Sequence, residues 1–417
     1  MKKLSTYLKE DKQGKNLHLE HIEDDILNFG VVGARAAINF LQSLRDMLAG
    51  STRSSLNMTV KWDGAPAIFA GIDPADGKFF VAKKSVFNAT PLLYKTQQEI
   101  NTDPKLPASL KPKFSIALAE FGKLGIKGVL QGDLMFTKED LKTETIDGTK
   151  HTTFQPNTIV YAIPTGTPLD TKIKQSKIGV VWHTSYSGNS LSEMKASFGA
   201  NITSLRKLNT VWMDDATYKD TSGTATFTAT ETAQVTAMLS SAGNQFRKIS
   251  SAQLNTFNAL QATFSGKLVG AGLKTYNNSK VREGTKVSNP KAHAVGYYAW
   301  VENKFNVEIA KLKTEKSRDA LIVKRDASLQ VVKRHEKLLE DITAFQGMVV
   351  DAKMMIVSKL DAVQQIAGTF IKTANGFKVT NPEGYVAIDR VSGNAVKLVD
   401  RMEFSYNNFT AIKAWDK

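Results

Sequence analysis

The chain of 417 residues contains no cysteine, which excludes disulfides, thiolate nucleophiles and zinc sites built on thiolates, and suits a reducing compartment. Histidine is scarce as well. His18 and His21 lie near Glu20 and Glu23, types that can hold a metal but that read better as a solvated helix start, and His183 and His293 stand alone. No run approaches the roughly 20 apolar residues needed to cross a bilayer. The segment Met1 to Glu10 is basic but lacks the apolar stretch of a secretory signal. Internal repeats and low-complexity tracts are absent. A soluble protein of the cytoplasm, without membrane partners, is expected.

What is present is positive charge. Lysine and arginine outnumber aspartate and glutamate by 55 to 40, a formal net charge of +15, which points to an anionic partner such as nucleic acid or nucleotide. Apolar residues make up 42% of the chain, enough to build a sizeable core. The length favours two domains, or one core carrying a large insertion.

Apolar positions Ile22, Ile26, Phe29, Ala37, Leu41, Leu44 and Leu48 recur at helical spacing, with an interruption expected at Gly30 to Gly33. Short strand-like runs follow at 58–62, 67–70 and 78–83, the last two joined by the turn Asp73-Pro74-Ala75-Asp76-Gly77. Further strands are expected at 129–136, 159–163 and 177–183. Helical periodicity then dominates at 233–268 and 307–366, with a loop expected at 266–293. Strand character returns at 384–388 and 395–399, around the turn Ser392-Gly393-Asn394. The expected organisation is α+β: a core over 1–189, a mainly helical insertion over 190–375, and core completion over 376–417.

A lysine that attacks phosphorus must lose its proton, although free lysine has a pKa of about 10.4. Burial and neighbouring positive charge lower that value. Lys61 closes an apolar strand and is followed by Trp62, Asp63 and Gly64. The glycine would admit a ligand close to the backbone.

Lys61-Trp62-Asp63-Gly64 resembles the nucleotidyl-acceptor motif of the covalent nucleotidyltransferases: DNA ligases, RNA ligases and messenger-RNA capping enzymes. Other segments resemble the family's later motifs, in order. Leu130-Gln131-Gly132-Asp133-Leu134 resembles the third, whose acid binds ribose; Asp133 stands where glutamate is usual. Glu383-Gly384-Tyr385-Val386 matches the fourth, whose glutamate helps hold the catalytic metal. Val396-Lys397-Leu398-Val399 resembles the fifth, which sets lysines against the α-phosphate. Val399 occupies the place of a second lysine, and Arg401 is the candidate to supply that charge. Pro66 stands where DNA ligases often have arginine, and the arrangement is most similar to bacteriophage RNA ligases.

The resemblance implies a ligase adenylation-domain fold of mixed, largely antiparallel sheets without an OB-fold domain, using ATP with Mg2+ or Mn2+. It implies catalytic roles for Lys61, Lys397 and Glu383. It further implies nucleotide contacts from Asp63, Gly64, Lys84 and Asp133, an adenine-stacking ring from Tyr161 or Trp182, and metal contacts from Glu383 and Asp133. The implied reaction transfers AMP from ATP to Lys61, then to a 5-prime phosphate, and seals it to a 3-prime hydroxyl, with RNA ends preferred over DNA. Lys280, Arg282, Lys286 and Lys291, in a segment poor in acids, are the candidate nucleic-acid contacts. Lys324 and Arg325 belong to a second basic stretch whose interspersed acids suit a solvated helix. Transfer to another acceptor, such as a capped RNA end, and non-catalytic nucleic-acid binding on the same fold are the competing readings.

Overall fold

The computed structural model describes residues 21–50, 56–216, 226–361, 368–373, 376–379, 383–389 and 395–406. His18, Glu20 and the turn at 392–394 lie outside them.

A short 3-10 turn, Ile22–Asp24, leads into α1 (Asp25–Leu48). The expected interruption is a kink at Gly30, whose φ of 62° and ψ of −145° leave the helical region. Strands β1 (Leu56–Lys61), β2 (Ala67–Ile72) and β3 (Phe79–Ala82) follow. The 73–77 turn closes the β2–β3 hairpin as expected, with Asp73 N–H donating to Lys78 O at 2.9 Å.

Next come α2 (Gln97–Thr102), α3 (Lys111–Phe121), β4 (Val129–Thr137), β5 (Lys142–Ile146), β6 (Thr149–Phe154), β7 (Ile159–Pro164) and α4 (Pro168–Gln175). Strands β8 (Ile178–Ser187), β9 (Lys195–Phe198) and β10 (Val211–Asp214) complete the first part. A helical run then holds α5 (Ala229–Phe246), α6 (Ser251–Ala262), α7 (Leu273–Arg282), α8 (Pro290–Ala310), α9 (Glu315–Arg334) and α10 (Glu336–Asp361). Strands β11 (Gly368–Thr373), β12 (Gly376–Val379), β13 (Gly384–Asp389) and β14 (Ala395–Leu398) close the chain, with a π-helical turn at Arg401–Ser405.

Among the described residues the strands form three sheets, in the orders β1-β13-β14, β10-β8-β4-β2-β3 with β9 on β8, and β12-β11-β7-β6-β5. The molecule is therefore α+β with largely antiparallel sheets; the β8–β10 pair is parallel. The six-stranded sheet packs Ile68, Val81, Leu130 and Trp182 against Phe114 and Phe121 of α3. Trp62, Phe136, Phe154, Tyr161 and Trp212 fill the space beside the five-stranded sheet. The largest core joins α1 to the helical run and takes in Met58, Tyr385, Ala387 and Leu398 of the three-stranded sheet. Full burial of a large aliphatic or aromatic side chain in such a core contributes about 1.5–3 kcal/mol.

Two expectations need correction. Strands β9 and β10, inside the expected insertion, belong to the six-stranded sheet, and β11 already pairs with β7. The helical run is thus narrower, and α1 joins its core. The loop expected at 266–293 is mostly helical: a 3-10 turn at Gly266–Ala271, α7, and the start of α8. Burial of Leu273, Tyr276 and Val281 outweighs the weak helix propensity of its asparagines and glycines. Among the described residues, no helix is long and apolar enough to cross a membrane.

Candidate functional site

The three-stranded sheet sets the geometry. Alternation along its strands sends Met58, Tyr385, Ala387 and Leu398 into the helical core, and Val386, Ile388 and Ala395 to the opposite face, against Phe198. Lys61 pairs with Gly384, and Lys397 with Val386. Both lysines therefore share the face turned away from the helices.

Glu383, just before β13, brings its Oε2 to 2.5 Å from Lys61 Nζ across 322 residues of chain. The side chains are 28% and 5% exposed. Gly384, next along the chain, lets the end of β14 lie close against β13: its φ is 144°, and a Cβ there would strike Leu398 O and lie 2.7 Å from Val399 Cγ2. Lys61, Asp133 and His183 line one cavity of about 90 Å³, with Trp62, Phe198 and Val386 among its walls. His183 Nε2 stands 3.8 Å from Asp133 Oδ2.

The charges are unevenly spread. Burial alone would lower the Lys61 ammonium, but Glu383, with Asp133 and Asp63, outweighs it and holds Lys61 above its ordinary value. This overturns the expected lowering. Burial pushes the Glu383 carboxyl up, against the pull of Lys61. Lys397 is the lysine that is lowered, to about 8, by burial and then by Lys61, with Arg401 and Lys353 adding to it. His21, bridged to Lys397 through the backbone, is held well below its ordinary range by burial, Arg401 and Lys397.

Several expected ligands turn out to be supports. The Asp63 carboxylate accepts from Asn157 Nδ2 at 2.6 Å and from the Thr158 and Ile159 N–H groups at 2.7 and 2.8 Å. It anchors the motif loop to the start of β7, and three of its roughly four acceptor sites are taken up by that role. Gly64 faces β4 rather than a ligand: a Cβ there would strike Asp133 Cβ and come within 2.9 Å of Met135 Sδ. Tyr161 is buried, accepts from the Asp63 N–H at 2.7 Å, and packs against Trp62 with centroids 5.0 Å apart. Trp182 is fully buried on the other face of β8, 5.2 Å from Phe121. Neither ring can stack on an adenine from where it sits. Lys84 is exposed at the start of a 3-10 turn, because β3 stops at Ala82. Arg401 is held by both oxygens of Asp24 at 3.2 Å and by Asn278.

Of the basic candidates, Lys280 and Lys286 border a second cavity; Arg282 and Lys291 are exposed beside it. Lys324 and Arg325 lie on α9, where Arg325 bonds Asp326 and Asn306. Sequence reading missed His183, whose neighbour Trp182 drew attention although alternation gives His183 the cavity face. It also missed Lys353, buried on α10, which binds the Glu23 carboxylate at 3.0 Å and Val399 O at 2.9 Å.

The sequence model of a family of unknown function (DUF6267) matches residues 16–413. The chain belongs to that family. No curated protein and no solved structure matches it. The DUF6267 match spans the strands that carry Lys61 and Lys397 together with the helical run between them.

Proposed function

We propose that this DUF6267 protein is an ATP-dependent nucleotidyltransferase of the polynucleotide-ligase type, with RNA ends preferred, in which Lys61 accepts AMP. The observation that carries the reading is the meeting of Lys61, Glu383 and Lys397 at one sheet face from opposite ends of the chain, with Asp133 in the cavity beside Lys61. On this reading the antiparallel sheets are a ligase adenylation core.

The chemistry follows from the charges. Glu383, pushed up by burial, is placed to take the proton of Lys61. The freed amine attacks the α-phosphorus, an N–P bond forms, and the P–O bond to pyrophosphate breaks. Lys397 is a cation crowded by other cations, and a phosphate brought beside it relieves that crowding and is stabilised in return. Trp62, His183 and Phe198 are the rings on the cavity wall, in place of Tyr161 and Trp182.

Among the described residues no cluster of three or more metal-ligating side chains occurs. On this reading Asp133 and Glu383, each near Lys61, would hold an ion such as Mg2+, which takes one or two carboxylates and completes its shell with phosphate and water. When bound, it would neutralise phosphate oxygens. A cavity of about 90 Å³ is smaller than the roughly 300 Å³ and upward of ligand pockets, so nucleotide entry requires the walls to part.

Incubation with α-labelled ATP and Mg2+, followed by denaturation, tests the reading: a covalent label is expected on wild type and not on Lys61→Arg. Sealing assays on nicked RNA, nicked DNA and single strands then choose the acceptor. A nucleic-acid-binding protein without catalysis is the second reading, favoured by the Glu383 contact that pins Lys61 as an ammonium. It expects no label at all.

A further inference from the structure

A second cavity, of about 540 Å³, opens in the helical layer where α7, the start of α8, α10 and the turn after β14 meet. That volume lies within the range of small-ligand pockets. Val281, Val287, Pro290, Met348 and Met354 give it largely apolar walls.

One wall is polar and fixed. His293 Nε2 lies 2.8 Å from Asn277 Oδ1, Asn277 Nδ2 donates to Gln346 Oε1 at 3.4 Å, and Gln346 Nε2 donates to Glu23 O at 3.0 Å. Lys353 then joins Glu23 to Val399 O, two residues beyond Lys397. The wall is thus continuous with the cation-rich end of the Lys61 site.

The rim is cationic. Residues 273–291 carry five lysines and arginines and a single acid, Glu283. Lys280 and Lys286 border the cavity with side chains 28% and 74% exposed, paired to Glu283 at 2.8 Å and to Asp351 at 3.8 Å. Such surface pairs are weak and yield to a phosphate.

An apolar slot with a fixed polar wall and a cationic rim suits a flat, weakly polar body with anions attached at its edge. A base at the end of a single strand has that form; a base inside a duplex must first unpair. We propose that this cavity takes the terminal nucleotide of a single-stranded nucleic acid, its base between α7 and α10 and its phosphates on Lys280 and Lys286. This deepens the ligase reading by seating the acceptor strand near Lys397, yet the binding does not depend on AMP transfer.

The test is fluorescence anisotropy of the full chain with a 5-prime-phosphorylated single strand of about twelve nucleotides, without ATP and across a salt series. Lys280→Glu with Lys286→Glu should weaken binding about tenfold or more, and reduce the salt slope by about 1.4. Met348→Trp, which fills the slot, should weaken binding about tenfold at an unchanged slope. Wild-type affinity in both variants overturns the proposal. So does loss of binding only in Lys324→Glu with Arg325→Glu on α9, or equal competition by a blunt duplex. Covalent labelling by α-labelled ATP on the same variants keeps the two readings apart. Cavity-dependent binding by a protein that never labels rejects AMP transfer and leaves the strand site standing.

Discussion

The two lysines on the cavity side of the three-stranded sheet share a face and little else. Lys61 stands at an acid-rich end, with Glu383 at 2.5 Å and Asp133 and Asp63 nearby. Lys397, lowered first by burial and then by Lys61, stands toward a base-rich end with Arg401 and Lys353, whose own acids, Glu23 and Asp24, lie toward the helical layer. One lysine is held protonated and the other is eased toward the neutral amine. A nucleophile must be neutral, so the resting arrangement favours Lys397 by charge alone. The ligase reading therefore requires Glu383 to act on Lys61, and the contrast between the two ends can be broken experimentally.

The largest effect is expected from Lys61→Met, which leaves Glu383 buried without its cation. Removing one member of a buried pair is destabilising by about 3–5 kcal/mol. Urea denaturation should show a loss of that order, mostly recovered in Lys61→Met with Glu383→Leu. A single variant as stable as wild type would deny the acid-rich end its pairing role.

Lys397→Met is expected to do the reverse. A folded pKa near 8 against an ordinary 10.5 means that the folded state holds its proton less well than the unfolded chain. The penalty is full below about 8 and fades as pH rises toward 10.5, because the unfolded chain binds more protons in that window. Near neutral pH the variant should gain on the order of 3 kcal/mol, the gain shrinking through that window. A gain independent of pH contradicts a Lys397 lowered by burial and by the cations beside it.

Asp63→Asn disturbs the support under Lys61 rather than either charge. It replaces a carboxylate that accepts three N–H bonds, and a loss of about 2 kcal/mol is expected in the same denaturation assay. Tyr161→Phe removes only the acceptor of the Asp63 N–H and should lose about 1 kcal/mol. If Tyr161 stacked on adenine instead, this conservative change would leave stability untouched and Tyr161→Ala would act on nucleotide affinity.

The same contrast shows what a sequence can carry. Lys61, Glu383 and Lys397 were legible because the motif tetrad and the late strand pair each have local patterns, and the strand runs were apolar enough to stand out. The β5–β6 hairpin was missed although Asp147-Gly148, with φ values of 48° and 78°, is a strong two-residue turn signal. Its strands are threonine- and lysine-rich, β5 is mostly exposed, and β6 buries two threonines beside Phe154, so no apolar alternation announced them. α7 was hidden by its asparagines and basic residues, since burial of three spaced residues decided its fold. His183 and Trp182 could be told apart only with the β4–β8 register, where Trp182 lies opposite Gly132. The roles of Asp63 and Lys353 depend on partners about a hundred and several hundred residues away, which no local pattern encodes.

The most direct measurement is mass-spectrometric mapping of the residue that carries AMP after incubation with ATP and Mg2+. The account predicts an adenylylated peptide containing Lys61, absent from Lys61→Arg and strongly reduced in Glu383→Gln. Adduct on Lys397, or no adduct on a folded wild-type chain, would contradict it.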